Sequence, residues 1–213
     1  MNIKRTKFNL SLLGEATVGK TSMIQVKCGI PFNEDQLATV GIDNLLEKVK
    51  FEGKEYKFKI FDTAGQERYS QISLSTIKVA DGFVLVFAVN EKSSFDKISL
   101  WIKSIEENAN IKEKAIILVG NKIDMPNRKI SKEDAENFAK DYNIKYFETS
   151  AKTGKGIQEA FNQIYKDIYE LNVKLDALNN SNPNSNANMN NSGSFELKKE
   201  KHKKDNKKTK VKC

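Results

Sequence analysis

The chain has only two cysteines and no long hydrophobic run, and each shortage excludes a class of protein. With only Cys28 and Cys213 available, a disulfide framework and a zinc cluster are both excluded, which fits a reducing compartment. The longest apolar run, Phe83 to Val89, is far below the roughly twenty residues that a membrane-spanning helix needs. The N-terminal residues also lack the apolar core of a signal peptide, so we expect any membrane contact to come from the C-terminal end.

Positive charge is concentrated near the C-terminus, although the whole chain carries a net charge of +8. Residues 198 to 212 hold nine lysines against two acidic residues, so this tail carries +7 and the remainder is close to neutral. Before the tail, eight of the fourteen residues from 179 to 192 are asparagine, a composition typical of a disordered linker. We predict three regions: a domain over 1–178, an Asn/Ser-rich disordered linker over 179–197, and a polybasic tail over 198–213.

Strand and helix patterns alternate through the first 178 residues. The predicted strands are Phe8–Leu13, Leu45–Phe51, Tyr56–Phe61, Phe83–Val89, Ala115–Val119 and Lys145–Phe147, with a hairpin turn at Glu52-Gly53. The predicted helices are Lys20 to about Cys28, Ser93 to about Ala109, Ser131 to about Tyr142 and Ile157 to about Leu175. Continuous apolar strands that alternate with helices indicate an α/β fold, a doubly wound and mostly parallel six-stranded sheet with helices on both faces.

The stretch from Gly14 to Thr21 has the pattern GxxxxGK[ST] between a strand and a helix. In that context the backbone N–H groups of the turn and the helix N-terminus bind phosphates. Lys20 would place a positive charge between the outer phosphates, and the Thr21 hydroxyl would be a ligand for Mg²⁺. Alone, the pattern also fits a tight turn that only links a strand to a helix.

A second motif, Asp62-Thr63-Ala64-Gly65-Gln66, follows the third strand. An aspartate at this place can hold Mg²⁺ through a water, and Gly65 would let its N–H approach a third phosphate. Gln66 is a candidate for orienting an attacking water molecule. The alternative is a turn that ends the strand, with the aspartate as a cap. This alternative is less favoured only because a phosphate loop lies upstream at this spacing.

Two further motifs follow later strands and point to a guanine base. Asp124 in Asn121-Lys122-Ile123-Asp124 can accept hydrogen bonds from the N1–H and exocyclic amine of guanine, a donor pair that adenine lacks. The stem of Lys122 would lie over the base. In Ser150-Ala151-Lys152, the Ala151 N–H would meet the guanine carbonyl oxygen. Either motif alone fits a loop with polar caps about as well.

These four motifs in this order resemble the Ras-like small GTPases over residues 7 to about 175. The resemblance implies the P-loop small GTPase fold, slow GTP hydrolysis to GDP, and Mg²⁺ as the cofactor. The implied nucleotide contacts are Gly14, Ala16, Thr17, Val18, Gly19, Lys20, Thr21, Ser22, Phe32, Thr39, Gly65, Asn121, Lys122, Asp124, Ser150, Ala151 and Lys152. The implied metal ligands are Thr21, Thr39 and Asp62, and the implied catalytic residues are Gln66, Lys20 and Thr39.

Within that superfamily the chain looks most like the Rab proteins, which regulate vesicle traffic. The stretches TVGID at 39–43 and KIFDTAGQERY at 59–69 carry this resemblance, together with a C-terminal cysteine after a variable tail. The chain departs from the usual Rab pattern at Asn44, Phe61 and Thr76-Ile77-Lys78, where effector-binding aromatic residues usually stand. A generic Ras-like signalling GTPase is the alternative, and so is a GTP-binding module that scarcely hydrolyses and acts through occupancy.

The tail predicts a membrane anchor. By resemblance to Rab proteins, Cys213 is the prenylation site, and the lysines supply the second signal on an anionic cytoplasmic leaflet, of an endomembrane or the plasma membrane. The other interpretations are lysines that only solubilise the chain, or a nuclear or nucleic-acid-binding tail; we do not expect a nucleic-acid partner. The resemblance also implies a monomer with four kinds of partner: a GTPase-activating protein, an exchange factor, effectors, and a GDP dissociation inhibitor or escort protein.

Overall fold

A computed structural model describes residues 5–34, 42–63 and 71–181, and it contains one six-stranded sheet. The strands are β1 (Lys7–Leu13), β2 (Ile42–Phe51), β3 (Lys54–Thr63), β4 (Gly82–Ala88), β5 (Ala115–Asn121) and β6 (Lys145–Glu148). Their order across the sheet is β2-β3-β1-β4-β5-β6, and only β2 and β3 pair antiparallel. The predicted α/β class and mostly parallel six-stranded sheet are confirmed.

The helices of the described ranges pack on both faces of this sheet. They are α1 (Lys20–Lys27), α2 (Gln71–Val79), α3 (Lys92–Asp96), α4 (Ile98–Asn108), α5 (Lys132–Asp141) and α6 (Ile157–Ser181). The Ser131 hydroxyl caps α5 as predicted, because it accepts a hydrogen bond from the Asp134 N–H at 2.9 Å. All seven residues of β4 are buried, as expected for a central strand covered on both sides.

The helices differ from the predictions in three ways. Helix α2 was missed, because its sequence is rich in serine and β-branched residues, which are moderate helix formers; packing of the fully buried Ile77 stabilises it instead. The helix predicted over 93–109 is two helices that meet at Lys97. The Ser94 hydroxyl bonds the backbone N–H of Ala88 at 3.1 Å and the Glu91 carbonyl at 2.7 Å, which ties α3 to the end of β4.

The last helix continues to Ser181, past the predicted end near Leu175. The first residues of the predicted linker are therefore helical. Pro183 lies two positions after the helix end. Because proline restricts the residue before it to extended conformations, the sequence itself gives a reason for α6 to end near Ser181. The division of the chain into domain, linker and tail otherwise stays a prediction.

The core has two layers, one on each face of the sheet. Helices α1 and α6 cover one face, where Phe8, Phe58 and Phe161 belong to the same buried cluster. Helices α2, α4 and α5 cover the other face, where the cluster includes the fully buried Trp101. This packing leaves the carboxyl ends of the parallel strands β1, β3, β5 and β6 to meet at one edge, and each of the four sequence motifs begins there.

Candidate functional site

The loop from Gly14 to Gly19 joins β1 to α1, and it requires glycine at both ends. Gly14 has φ 152° and Gly19 has φ 98°, a region that residues with a side chain rarely adopt. A Cβ atom on Gly14 would overlap the carbonyl oxygen of Val86, and one on Gly19 would overlap the side-chain amide of Asn121. Gly19 also has no side chain that could cap α1, so the positive end of that helix faces the loop.

Lys20 is almost fully buried, with 5% of its surface exposed, beside this loop. Its ammonium group donates hydrogen bonds to the carbonyl oxygens of Gly14 at 3.0 Å and Glu15 at 2.9 Å. A buried charge needs polar partners, and these two loop carbonyls hold the Lys20 ammonium beside the Gly14–Gly19 loop. The geometry places a fixed positive charge where an anionic group would meet the loop.

Asn121 at the end of β5 connects the phosphate loop to the two loops that follow β5 and β6. Its side-chain amide donates to the carbonyl oxygen of Val18 at 2.9 Å. Its side-chain oxygen accepts from the Thr149 hydroxyl at 3.1 Å and from the Ala151 N–H at 3.2 Å. The Asn121 side chain is 1% exposed, so these bonds form in a dry environment where an unpaired amide would be costly.

The predicted guanine-binding residues lie close together. The Ser150 hydroxyl donates to the Asp124 carboxylate at 2.6 Å and accepts from the Thr153 N–H at 3.1 Å, which fixes the carboxylate of the exposed Asp124. Lys122 has φ 66°, a left-handed conformation that few residues with a side chain adopt. Ala151, predicted to present its N–H to guanine, donates it in this structure to Asn121.

A pocket of about 370 Å³ lies beside these loops. It is lined by Phe32 and its neighbours after α1, and by Ala151 and Lys152 after β6. The Lys152 ammonium and the Glu34 carboxylate form an ion pair between the same two segments, and this hydrogen bond raises the pKa of Lys152. Phe32, Ala151 and Lys152, which the resemblance to the small GTPases implies as nucleotide contacts, therefore line one pocket.

Two of the three predicted metal ligands lie at the start of α1 and the end of β3. Thr21 is the second residue of α1, and Asp62 is 4% exposed in register with Leu12 of β1. A hydroxyl and a carboxylate are the hard oxygen donors that Mg²⁺ prefers. No cluster of three or more His, Cys, Asp or Glu side chains that could hold a metal occurs within 5–34, 42–63 and 71–181.

Two contacts of the site were missed by sequence analysis. Lys97, between α3 and α4, forms an ion pair with Glu15 of the phosphate loop at 2.7 Å, and Thr149 bonds Asn121 from the end of β6. Neither residue belongs to a short motif, and Lys97 is 82 positions from Glu15 in the chain. Only the fold brings these groups together.

Several predicted site residues lie outside the described residues. They are Thr39, Gly65, Gln66 and Cys213. The predictions for these positions therefore rest on the sequence. The remaining predicted contacts follow the carboxyl ends of strands, except Phe32, which follows α1 and lines the pocket beside Ala151 and Lys152.

Comparison with known proteins gives concordant results. The family model described as "Ras family" matches residues 9–170. The chain is 41% identical to Ras-related protein Rab-13 of Mesocricetus auratus over 162 residues, which cover 76% of this chain and 79% of the relative. It is 40% identical to human Ras-related protein Rab-8B over 176 residues, covering 82% and 84%. Ras-related protein Rab-8 of Diplobatis ommata is 41% identical over 171 residues, covering 79% and 81%.

Proposed function

Because this chain belongs to the Ras family and is Rab-like within it, we propose that the site described above binds and hydrolyses GTP as a molecular switch. Membership makes the chain a GTP-binding, Rab-like regulator of membrane traffic, and Ras-family proteins are in general GTPases that use Mg²⁺. The observation that carries the proposal is the bridge made by Asn121, which holds the phosphate loop and the base-binding loops in one rigid arrangement.

At the phosphate end, the loop amides and the N-terminus of α1 would hold the outer phosphates, with Lys20 between them. Ala16, Thr17, Val18 and Ser22 line this end of the site in the proposal. Thr21 and Asp62 would hold Mg²⁺, with Asp62 acting through a water, and Thr39 would add a ligand in the GTP-bound state. The metal, when bound, would neutralise charge on the phosphates.

At the base end, Asp124 would accept the two donors of guanine, and Phe32 and the stem of Lys122 would pack against the ring. The bond from Ser150 supports this role, because it fixes the carboxylate before the base arrives. Adenine would leave the Asp124 carboxylate without its donor pair, so we expect a large preference for guanine.

For hydrolysis, Gln66 would position water in line with the third phosphate, and Gly65 would donate its N–H to that phosphate. Thr39 and Gly65 would each lose a contact when the phosphate leaves. Hydrogen bonds to charged groups are worth about 1.5 to 3 kcal/mol, so two of them bias the two states by roughly a hundredfold or more. Such a bias is sufficient for partners to distinguish the GTP and GDP forms.

The test is single-turnover hydrolysis of GTP by the full chain and by a Gln66→Leu variant, each with nucleotide affinity measured separately. We expect the variant to bind GTP as tightly as the wild type and to hydrolyse it at least tenfold more slowly, with or without an activating protein. Equal rates would refute the role of Gln66. A wild-type protein that binds GTP but hydrolyses it no faster than GTP breaks down in buffer would support the alternative module that acts through occupancy.

We further propose that Cys213 is prenylated and that the polybasic tail supports attachment to the cytoplasmic face of an endomembrane or the plasma membrane. No helix of the described ranges is long and apolar enough to cross a bilayer. The intact mass of protein taken from native membranes tests the modification. An added prenyl mass that disappears in Cys213→Ser is expected, and an unmodified mass would refute it.

The Rab-like partners follow from the same proposal: an activating protein, an exchange factor, effectors, and a dissociation inhibitor or escort protein, each binding a monomer. The effector surface departs from the usual Rab pattern. Asn44 is exposed opposite Phe61, while Thr76 and Ile77 are buried in α2 and leave only Lys78 of that stretch exposed. We therefore expect effectors that do not depend on the usual aromatic contacts.

A further inference from the structure

Five lysines share one face of the sheet at its β2 edge, and we call this surface the basic face. Lys7 of β1 lies beside Lys57 of β3, which lies beside Lys48 of β2, so three lysines form a row across three strands. Lys59 and Lys50 lie two residues further along β3 and β2, on the same side of the pleat. Paired residues on neighbouring strands point to the same side of a sheet, so all five project from one face.

This face is turned away from the layer formed by α1 and α6. Phe8 and Phe58, the neighbours of Lys7 and Lys57 in sequence, are buried in that layer, so the alternation of the strand sends the lysines to the opposite side. Four of the five lysines are exposed and Lys57 is half-buried. Leu46, which pairs with Lys59 and precedes Lys48 on the same side of β2, is 60% exposed at one end of this surface.

The charge of the basic face is poorly balanced by the protein itself. Glu55 forms an ion pair with Lys48 at 3.3 Å, and Lys59 lies over the ring of Phe61 at 4.8 Å. Among the residues that the structure describes, Lys7 and Lys57 form no ion pair, and Lys50 lies opposite the same Glu55 that already pairs with Lys48. Like charges directly opposite each other destabilise a sheet, so this arrangement works against folding unless something else favours it. A negatively charged surface would offset the repulsion.

The position of the face relative to the tail indicates which negative surface this is. The ring of Phe51 at the hairpin turn stacks on Tyr169 of α6 at 4.8 Å, so the turn and this part of α6 lie together. The helix continues for about 18 Å to Ser181, at the end of the sheet opposite the nucleotide-binding loops. The nine-lysine tail follows, and residues 182–213 can span up to roughly 100 Å, which is enough to reach around the sheet edge.

We propose that the basic face docks on the acidic phospholipid headgroups of a membrane, as a contact of the folded domain in addition to the tail. Lysine stems with an exposed leucine beside them suit the membrane interface of charge and hydrocarbon. The nucleotide-binding edge itself stays outside the bound face, but Asn44 and Phe61 of the proposed effector surface lie on this face, two residues beyond Leu46 and Lys59, so we expect the docked domain to exclude effectors.

The test is sedimentation of the full, unlipidated chain, loaded with GDP and Mg²⁺, with vesicles of phosphatidylcholine that either contain or lack phosphatidylserine. The variant Lys7→Gln/Lys48→Gln/Lys57→Gln removes the row. A lysine near an anionic leaflet contributes about fivefold to binding, so we expect a loss of roughly tenfold to a hundredfold on phosphatidylserine vesicles after screening. Because the assay uses neither lipidation nor hydrolysis, failure of the proposed GTPase or prenylation would not affect it.

The matched control removes the same charge from the helices over the other half of the sheet, in the variant Lys103→Gln/Lys112→Gln/Lys140→Gln. Lys103 forms an ion pair with Glu107 at 3.8 Å, which matches the ion pair of Lys48 with Glu55 at 3.3 Å in the row variant. Lys112 and Lys140 are exposed. The control keeps the tail and matches the net charge of the row variant. We expect it to keep most of the wild-type binding.

Equal losses in the two variants would overturn the proposal, because net charge and the tail would then explain all binding. Wild-type protein that ignores phosphatidylserine would overturn it as well. A row variant that binds vesicles like the control but loses binding to a polyglutamate peptide would assign the face to an acidic protein partner instead. GDP affinity and the unfolding midpoint report folding, and Lys50→Gln/Lys59→Gln gives a second variant if the triple change does not fold.

Discussion

Replacing Glu47 by leucine is expected to destabilise the protein by about 3 kcal/mol. Glu47 of β2 pairs with the ammonium of Lys27 at the end of α1, and it accepts the hydroxyl of Tyr165 of α6 at 2.5 Å. The Lys27 side chain is 5% exposed, and its ammonium lies 5.7 Å from the centre of the Tyr165 ring. Burial and the Glu47 carboxylate raise the pKa of Tyr165 above its ordinary value. We call these three residues the polar triad.

The expected magnitude follows from which charges are left behind. Breaking a buried ion pair by removing one partner costs about 3 to 5 kcal/mol, because the other charge stays buried and uncompensated. Glu47 is 25% exposed, so the lower end of that range applies. For a domain of this size each kcal/mol lowers the unfolding temperature by about 2 to 4 °C, so Glu47→Leu should lower it by roughly 6 to 12 °C.

The assay is urea unfolding at fixed GDP and Mg²⁺ concentrations, because a ligand that binds only the folded state adds to its apparent stability. Glu55→Leu is the matched control, since Glu55 forms its ion pair with Lys48 on the exposed side of the same hairpin. Exposed pairs are worth about 0 to 1 kcal/mol, so this control should change little.

The double variant Lys27→Met/Glu47→Leu separates the ion pair from simple loss of packing. Replacing both members of a buried pair by apolar residues is often neutral or stabilising, so most of the stability lost in Glu47→Leu should return. The coupling energy should then exceed about 2 kcal/mol. Costs of the two single variants that simply add, to within about 0.5 kcal/mol, would refute the argument that this pair holds α1 to β2.

Three other predictions concern the loops and the tyrosines. Gly19→Ala should reduce GDP affinity by at least tenfold, because its Cβ would collide with the Asn121 side chain. Gly53→Ala is the control, since Gly53 also has a positive φ but its Cβ would meet open space, and it should leave the affinity unchanged. Isothermal titration measures the affinity of both variants. Ser150→Ala should weaken discrimination of GDP over ADP by roughly tenfold in competition binding, because Asp124 loses the bond that fixes it, and unchanged selectivity would contradict this. The pKa of Tyr169 is raised to about 12, first by burial and next by the hydrogen bond with Glu52. Its contribution to stability should therefore be complete below about pH 10 and disappear as the pH rises through about 12, which urea unfolding at a series of alkaline pH values would detect and Tyr169→Phe should reduce.

The sheet and its edges could be predicted from sequence because strand signals here are strong and local. The apolar run that became β4 is buried on both faces, and the turn at Glu52-Gly53 has positive φ at both residues, as a tight hairpin requires. Helix α2 carried no such signal, since its stability depends on burying Ile77 beneath the sheet face. The break at Lys97 was equally hidden, because no local pattern shows that the Ser94 hydroxyl bonds the Ala88 N–H at the end of β4 as well as the Glu91 carbonyl.

The same contrast separates the residues that would contact the nucleotide from those that support them. Phosphates and a guanine ring demand particular groups at short spacing, so Gly19, Lys20 and Asp124 stand in motifs that can be read directly from the chain. The identity of a supporting residue is constrained only by the residues that it contacts in the folded structure. Lys97 meets Glu15 from 82 positions away, and the Asn121 side chain crosses 103 positions to reach Val18. Since no local pattern constrains such pairs, sequence reasoning predicts the contacts with the ligand but not the contacts that hold them rigid.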